Sequence, residues 1–272
     1  MKAIESMFSL RDKIAVITGG GGVIASAIAE IYLTAGASIS LWNRTAVNVE
    51  KRAATLREKL PGCCDRIHIQ VVDTGDEPAV SQALEQTAAE LGSVDILVNG
   101  VGGNRGKTSF VDTDVTLFDE VLRLNLTAGL LIPTKVVARW WIEQQIAGSI
   151  INLSSMASYL PLSGVWAYDA AKAGVLNLTA AAAKEFAPYG IRVNGIAPGF
   201  FLGRQNRSLL IDEESGNLTE RGQAIIDHTP FGRFGEVSEL AGTALFLASA
   251  QAAGFITGVT IPVDGGYLIH NI

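Results

Sequence analysis

The sequence predicts an α/β fold in which a parallel sheet is covered by helices on both faces. Seven short apolar runs alternate with longer segments of helical periodicity along the 272 residues. Strands that are apolar on both faces are typical of doubly wound sheets, whose helices cross over each side. Because no linker, repeat or low-complexity stretch interrupts this order, we expect residues 1–272 to form a single domain.

Each predicted element follows from its own residue pattern. Short apolar runs predict strands at residues 13–18, 37–42, 66–72, 94–99, 149–153, 191–197 and 259–263. Longer stretches with apolar residues three and four positions apart predict helices at residues 23–35, 46–60, 77–91, 117–144, 165–187 and 237–249. A strand, a helix and a further strand repeated in this way predict a seven-stranded parallel sheet.

Residues 200–231 break the alternation. They form a long polar segment with an acidic run at Asp212, Glu213 and Glu214. Loops of this length inside a compact domain are usually functional lids or disordered segments. We expect a lid that crosses above the substrate site.

The composition argues against several classes of protein. Hydrophobic residues make up 48% of the chain and charged residues 18%, as in folded globular proteins. The net charge of -6 argues against a nucleic-acid partner, which requires a basic surface. No apolar run reaches the ~18 residues needed to span a bilayer, and the N-terminus has no hydrophobic segment typical of a secretion signal. We therefore expect a cytoplasmic protein with no membrane partner.

The cysteines and histidines argue against a disulfide framework and against a metal site. Cys63 and Cys64 are adjacent, and the three histidines lie far apart in the sequence. Two free thiols in a reducing cytosol explain this pattern.

The turn after the first predicted strand has the pattern of a dinucleotide-binding loop. Gly20, Gly22 and Ala25 follow the spacing G-x-G-x-x-A, between a strand and a helix. Glycines let the backbone turn tightly and approach a pyrophosphate, and the helix N-terminus offers free N–H groups to the anion. The sequence therefore predicts a Rossmann-type domain that binds NAD or NADP.

The end of the second predicted strand bears on the choice between these cofactors. The carboxylate that holds the ribose 2′-hydroxyl of NAD in such domains is missing, and Asn43 and Arg44 stand in that region. Arg44 could pair with a 2′-phosphate, which favours NADP slightly, or it could be a solvated loop residue. Asp73 follows the third strand and could bind the adenine amino group or cap the next helix.

A tyrosine and a lysine point to acid–base chemistry. Tyr168 and Lys172 are four residues apart in a predicted helix, so both lie on one helix face. A nearby ammonium would lower the phenol pKa towards the working range of a general acid or base. Ser155, at the end of the fifth strand, could hold the substrate oxygen beside Tyr168, or it could simply cap the strand end. Its neighbour Ser154 is an alternative for the same role.

Together these residues resemble the short-chain dehydrogenase/reductase family from Leu10 to about Tyr267. The motifs in family order are Thr18-Gly19, Asp73, Asn99-Gly100-Val101-Gly102, Asn125, Ser155, Tyr168 with Lys172, and Pro198-Gly199. Two family glycines of the first turn are replaced, by Val23 and Ala25, and Asn99-Gly100 stands where the family has two asparagines.

The resemblance implies an oxidoreductase with a catalytic tetrad of Asn125, Ser155, Tyr168 and Lys172. Lys172 would also hold the nicotinamide ribose, and Asn125 would shape a helix and position a water for proton relay. The implied cofactor-binding residues are Thr18, Gly19, Gly20, Gly22, Val23, Ile24, Asn43, Arg44, Asp73, Thr74, Asn99, Gly100, Tyr168, Lys172, Pro198 and Gly199. The family usually forms tetramers, so the resemblance also implies a homotetramer.

Residues 102–104, 197–201 and 205–210 further resemble a sugar-acid branch of the family, the D-mannonate oxidoreductases. The substrate would then be D-fructuronate or D-mannonate, bound by Asn104, Ser155, Asn206 and Arg207, with Arg204 as an alternative for the carboxylate. Each arginine could equally be a solvated lid residue. A reductase of acyl-carrier-bound 3-oxo groups and a non-catalytic dinucleotide sensor are the competing hypotheses.

Overall fold

The described part of the chain forms one parallel sheet of seven strands. The computed structural model describes residues 2–162, 164–203, 207–212 and 215–270. The sheet order is β3-β2-β1-β4-β5-β6-β7, so the chain winds outward in both directions from β1 and β4. The strands are β1 (Ile14–Thr18), β2 (Ser38–Asn43), β3 (Ile67–Val71), β4 (Ile96–Asn99), β5 (Ser149–Leu153), β6 (Arg192–Pro198) and β7 (Thr260–Val263).

Helices connect successive strands across both faces of the sheet. The helices are α1 (Lys2–Met7), α2 (Val23–Thr34), α3 (Ala46–Lys59), α4 (Glu77–Leu91), α5 (Val115–Leu122), α6 (Ile132–Gln144), α7 (Trp166–Phe186), α8 (Arg207–Leu210), α9 (Glu220–Asp227), α10 (Ala241–Ala248) and α11 (Ala250–Ala253). The predicted doubly wound fold is confirmed, and the strand ends differ from the prediction by at most two residues, as usual for element boundaries.

Two hydrophobic layers hold the helices on the sheet. Along β1, Ala15 and Ile17 pack into the layer that contains α2, α3 and α10. The alternate residues Ile14 and Val16 pack into the opposite layer, with α4 and α6. This alternation is the two-residue period of a strand whose two faces are both covered.

The long predicted helix at residues 117–144 is interrupted. A π-helical segment, Arg123–Leu131, separates α5 from α6. Within this segment Gly129 packs so closely on the Val101 carbonyl that a Cβ would lie 2.5 Å from its oxygen. Single π-helical turns are frequent at functional sites, and this one contains Asn125.

The same stretch is a long and apolar helical region. Val115–Gln144 is long and apolar enough to cross a membrane by length and composition alone. However, 61% of its most apolar window is buried within the fold. Trp141 is buried in the core and donates its indole N–H to the Val94 carbonyl at 2.7 Å. The stretch is therefore typical of a core helix.

The predicted lid region contains local structure that the sequence analysis missed. It includes α8 and α9, and an antiparallel bridge joins Ile211 to Leu218. Leu210 and Ile225 are buried between these elements. Phe201 enters the sheet core and pairs with Gly235, so the beginning of the segment is anchored.

Candidate active site

A cleft of about 1210 Å³ runs along the carboxyl ends of the strands. It lies at the point where the strand order reverses between β1 and β4, where open α/β sheets bind ligands. The predicted site residues that line it are Gly19, Gly22, Val23, Ile24, Asn43, Arg44, Asp73, Thr74, Gly100, Ser155, Tyr168, Lys172, Pro198 and Gly199.

The first turn leaves the N-terminus of α2 open to the cleft. Gly22 is the N-cap residue and has no side chain to bond the first helical amides. Gly19 has a φ of 65°, and a Cβ there would lie 2.6 Å from the Gly100 carbonyl oxygen. Unsatisfied N–H groups at a helix start and a backbone free of Cβ atoms fit a pyrophosphate. The replacement of the second family glycine by Val23 does not close this turn, because Gly22 keeps it open.

Three of the predicted cofactor residues lie behind the cleft lining. The Thr18 hydroxyl accepts the Gly100 N–H at 3.0 Å and donates to the Val98 carbonyl at 3.3 Å. Gly20 packs against Leu41, where a Cβ would lie 2.8 Å from the leucine Cβ. Asn99 is buried and donates to the side chains of Thr134 and Asn152 at 2.8 Å each. These residues fix the positions of the two turns, and direct cofactor contact by them stays a prediction.

The cleft beyond β2 is more basic than the sequence analysis recognised. Arg44 is exposed and lines the cleft, and Asn43 donates to the Thr45 carbonyl at 3.0 Å. Lys51 and Arg52, from α3, line the same part. In the sequence, Lys51 and Arg52 follow Arg44 by seven and eight residues, across a loop and two turns of α3. This spacing could have indicated that the three cations lie near one another.

Asp73 is not the cap of the following helix. The side chain of Asp76 caps α4 by accepting the Ala79 amide at 3.2 Å. Asp73 lines the cleft instead, and its carboxylate accepts the Gly75 amide at 2.8 Å. The sequence left two roles open for Asp73, binding the adenine amino group or capping the next helix. Its position in the cleft agrees with the first role and not with the second.

Asn125 is held rigidly by the loop that follows β4. Its side chain is buried, accepts the Gly103 N–H at 3.0 Å and donates to the Gly103 carbonyl at 2.8 Å. It also donates to the Val121 carbonyl at 2.9 Å. A Cβ on Gly102 would lie 2.7 Å from the Asn125 Oδ1 and 3.3 Å from the Lys172 Nζ. Glycine at 102 therefore lets this loop pass directly over two members of the tetrad.

Ser155, Tyr168 and Lys172 meet at the ends of β5 and β6. The Ser155 hydroxyl interacts with the Tyr168 phenol and accepts the Ala157 amide at 3.1 Å, so it is both an active-site group and a local cap. Lys172 is buried, its Nζ lies 5.7 Å from the centre of the Tyr168 ring, and it donates to the Leu153 carbonyl at 2.8 Å.

Ser154 belongs to the scaffold rather than to the reacting group. Its hydroxyl pairs with that of Ser158 at 2.5 Å. Ser158 in turn donates to the Lys172 backbone carbonyl at 2.7 Å. The Ser154 hydroxyl is therefore engaged by these hydrogen bonds, and the hydroxyl that interacts with the Tyr168 phenol is that of Ser155.

The electrostatics of the tetrad differ from the sequence-based expectation. Burial raises the pKa of Tyr168, the Ser155 hydroxyl partly offsets this, and the Asp169 carboxylate raises it further. Burial lowers the pKa of Lys172 to about 8. The Lys172 ammonium donates to the Leu153 carbonyl and lies 5.7 Å from the centre of the Tyr168 ring. Tyr168 is therefore protonated at neutral pH, which is the form of a general acid.

Among the described residues predicted to bind the substrate, only Ser155 lines the cleft. Asn104 is exposed outside the cleft lining and donates to the Gly106 carbonyl at 2.7 Å. Arg207 is exposed at the start of α8, also outside the lining. Asn206 and Arg204 lie outside the described residues. Arg105, which the sequence analysis did not consider, lines the cleft.

Comparison with known proteins agrees with this geometry. A family model described as enoyl-(acyl carrier protein) reductase matches residues 21–268. The chain is 39% identical to the uncharacterized oxidoreductase UxuB of Bacillus subtilis (strain 168), covering 97% of both chains. It is 34% identical to the 2-dehydro-3-deoxy-D-gluconate 5-dehydrogenase of Dickeya dadantii (strain 3937), covering 97% of this chain and 99% of that one.

Two solved structures share the fold closely. One, provisionally described as a D-mannonate oxidoreductase from Haemophilus influenza with bound NAD, has a TM-score of 0.89 and 34% identity, covering 98% of this chain and 99% of the other. The other is a gluconate 5-dehydrogenase from Burkholderia cenocepacia J2315 in complex with NADP and tartrate, with a TM-score of 0.86 and 33% identity, covering 98% and 100%.

These matches extend over nearly the whole chain and confirm the predicted oxidoreductase class and NAD(P) cofactor. The glycine turn, the open helix N-terminus and the grouping of Ser155, Tyr168 and Lys172 are the parts of the structure that such an activity requires. The chain belongs to the short-chain dehydrogenase/reductase family of NAD(P)-dependent oxidoreductases.

Proposed function

We propose that the protein interconverts a carbonyl and a secondary alcohol on a sugar acid, such as D-fructuronate and D-mannonate. The observation that carries the reaction type is the grouping of the Ser155 and Tyr168 hydroxyls above the buried Lys172, inside the cleft. The sugar-acid class rests on the names of the related gluconate and mannonate enzymes. When bound, the nicotinamide cofactor supplies or accepts the hydride.

Each member of the tetrad has a distinct task in this reaction. Ser155 holds the substrate oxygen by a hydrogen bond, next to the Tyr168 hydroxyl. Tyr168, protonated at neutral pH, donates its proton to that oxygen during reduction and accepts it during oxidation. Lys172 places a positive charge below the phenol ring and stabilises the phenolate that forms. Asn125 fixes the loop above Lys172 through Gly103.

The basic end of the cleft supports a preference for NADP. Arg44, Lys51 and Arg52 line this end. The two carboxylates among the described lining residues are Asp73, which follows β3, and Glu120, in α5; neither lies on β2. A 2′-phosphate would therefore meet guanidinium and ammonium groups there without a competing carboxylate from β2.

Residues 200–231 act as the lid of this site in our proposal. Phe200, Leu202 and Gly203 line the cleft, beside the Pro198-Gly199 turn. The anchored Phe201 gives the segment a fixed base, and the α8–α9 unit lies beyond it. Closure would exclude water from the reacting carbonyl.

We also infer a cytoplasmic homotetramer. Large apolar side chains are exposed on α5, the π-helical segment and α7 at Val115, Leu131 and Leu178, and Phe255 is fully exposed before β7. Exposed apolar side chains on several neighbouring elements are typical of subunit contacts. Light scattering after size-exclusion chromatography measures the mass directly, and the mass of a monomer would contradict the inference.

Replacing Tyr168 by Phe tests the reaction. Since Phe keeps the ring and removes the acidic hydroxyl, Tyr168→Phe should lower kcat by at least about 10³-fold while NADPH binding is unchanged. Turnover of D-fructuronate with NADH or NADPH is followed by nicotinamide absorbance, and cofactor binding by nicotinamide fluorescence. The exposed Tyr189 gives a matched control, Tyr189→Phe, which should retain full activity. Retention of most of the activity by Tyr168→Phe would overturn the assignment.

Replacing Lys172 by Met tests the cost of its burial in the enzyme without cofactor. The folded-state pKa of about 8 lies below the usual 10.5, so the buried charge destabilises the wild type most below pH 8, and this penalty disappears as the pH approaches 10.5. The stability of Lys172→Met relative to wild type should therefore fall by about 3 kcal/mol between neutral and strongly alkaline pH. Urea unfolding across this pH range measures it. Lys184→Met, at an exposed position of the same helix, should show no such trend; an equal trend in both variants would contradict the prediction.

Replacing Arg44 by Met tests the cofactor preference. Loss of a charge-assisted bond to the 2′-phosphate should weaken NADPH binding about tenfold and leave NADH binding unchanged. Arg139→Met, an exposed position on α6 outside the cleft lining, controls for the loss of one positive charge. Equal effects of Arg44→Met on NADH and NADPH would show that Arg44 does not read the 2′-position.

A further inference from the structure

An ion pair lies inside the cleft, between the loop after β4 and helix α5. The Arg105 guanidinium contacts the Glu120 carboxylate at 2.9 Å, and both residues line the cleft. The two side chains are 47% and 53% exposed. An ion pair this accessible to water contributes little to stability, so another anion can replace Glu120 at small cost.

The loop that carries Arg105 is fixed at both ends against the catalytic residues. On one side Gly103 exchanges two hydrogen bonds with Asn125. On the other side the Thr108 amide donates to the Gly164 carbonyl at 3.1 Å, and the Trp166 indole donates to the Thr108 carbonyl at 3.1 Å. Trp166 begins the helix that carries Tyr168. Arg105 therefore lies between the two attachments of this loop, at Gly103 and at Thr108, and lines the cleft.

The other cations that line the cleft have different surroundings. Arg44, Lys51 and Arg52 lie beyond β2, at the opposite end from the tetrad. Arg123 donates to the Gly75 carbonyl at 3.1 Å, next to Asp73. Lys172 is buried beneath Tyr168.

We propose that Arg105 is a specificity-determining residue that binds the carboxylate of the substrate, and that Glu120 occupies its guanidinium until the substrate enters. This inference rests on the proposed sugar-acid function. Substrate binding exchanges one carboxylate for another on the same guanidinium, so no charge is left unpaired at Arg105. The released Glu120 is half exposed and returns to water. The planar donor pattern of arginine recognises a carboxylate in a fixed orientation, and a neutral polyol offers no such group. The exchange therefore selects acids over neutral sugars.

The cofactor pyrophosphate is the other anion that enters this cleft, so the test must separate the two. The variants are Arg105→Met, which removes the charge and keeps the side-chain stem, Glu120→Gln, which removes the competing carboxylate, and the control Arg139→Met. For each, we measure kcat and KM with D-fructuronate and with the neutral ketose D-fructose, binding of NADPH by fluorescence, and binding of D-gluconate to the enzyme–NADPH complex by calorimetry.

The two variants should change acid recognition in opposite directions. Arg105→Met should raise the KM for D-fructuronate and the Kd for D-gluconate at least about tenfold, with little change for D-fructose or NADPH. Glu120→Gln should lower the same two constants about two- to fivefold. Arg139→Met should leave both unchanged.

Other outcomes would overturn the inference in distinguishable ways. Weaker NADPH binding by Arg105→Met, with an unchanged KM for the acid, would assign Arg105 to the cofactor pyrophosphate. An equal rise in KM for acid and neutral substrates would assign it to loop structure alone. Normal turnover of D-fructuronate by Arg105→Met would overturn this inference and leave the proposed function intact. Failure of the wild type both to turn over D-fructuronate and to bind D-gluconate would overturn both proposals.

Discussion

The close approach of two backbone turns is the constraint on which the active site depends. At the switch point, the turn after β1 meets the turn after β4, and Gly19 and Gly100 have no room for a Cβ: it would lie 2.6 Å and 2.5 Å from the facing carbonyl oxygens. The buried Thr18 hydroxyl joins the turns through the Gly100 amide and the Val98 carbonyl. Because these contacts fix where the chain leaves β4, they also fix the loop that continues over the tetrad.

That loop connects the cofactor turn to the catalytic residues. Gly102 passes against Asn125 and Lys172, and Gly103 is bonded to Asn125 through both of its backbone polar groups. Asn125, whose side chain binds this loop, lies in the π-helical segment Arg123–Leu131. This arrangement buries Lys172, and the free-energy cost of burying its charge lowers its pKa to about 8. The cofactor site and the proton-transfer site are thus parts of one hydrogen-bonded unit.

Sequence periodicity predicted the sheet, the helices and the grouping of Ser155, Tyr168 and Lys172 because these depend on local spacing, whereas Asn125 was implied only by the family resemblance. The four-residue interval of Tyr168 and Lys172, and the position of Ser155 at a strand end, follow from element geometry alone. The π-helical segment was missed because the hydrogen-bond register within a helix leaves no mark in its hydrophobic pattern. Arg105, Lys51 and Arg52 were missed because their place in the cleft depends on long-range packing, and Arg207 lies outside the lining for the same reason.

The distribution of charge unites these observations. The chain carries a net charge of -6, yet the described residues that line the cleft include six cations and only two carboxylates. Of those carboxylates, Asp73 is turned towards the Gly75 amide and Glu120 is paired with Arg105. A cleft of one sign in a protein whose net charge has the other sign attracts oppositely charged ligands locally. In our proposed function, the cations of the cleft and the proton donor Tyr168 serve two anions that must meet at one carbon atom, a phosphorylated dinucleotide and a sugar acid.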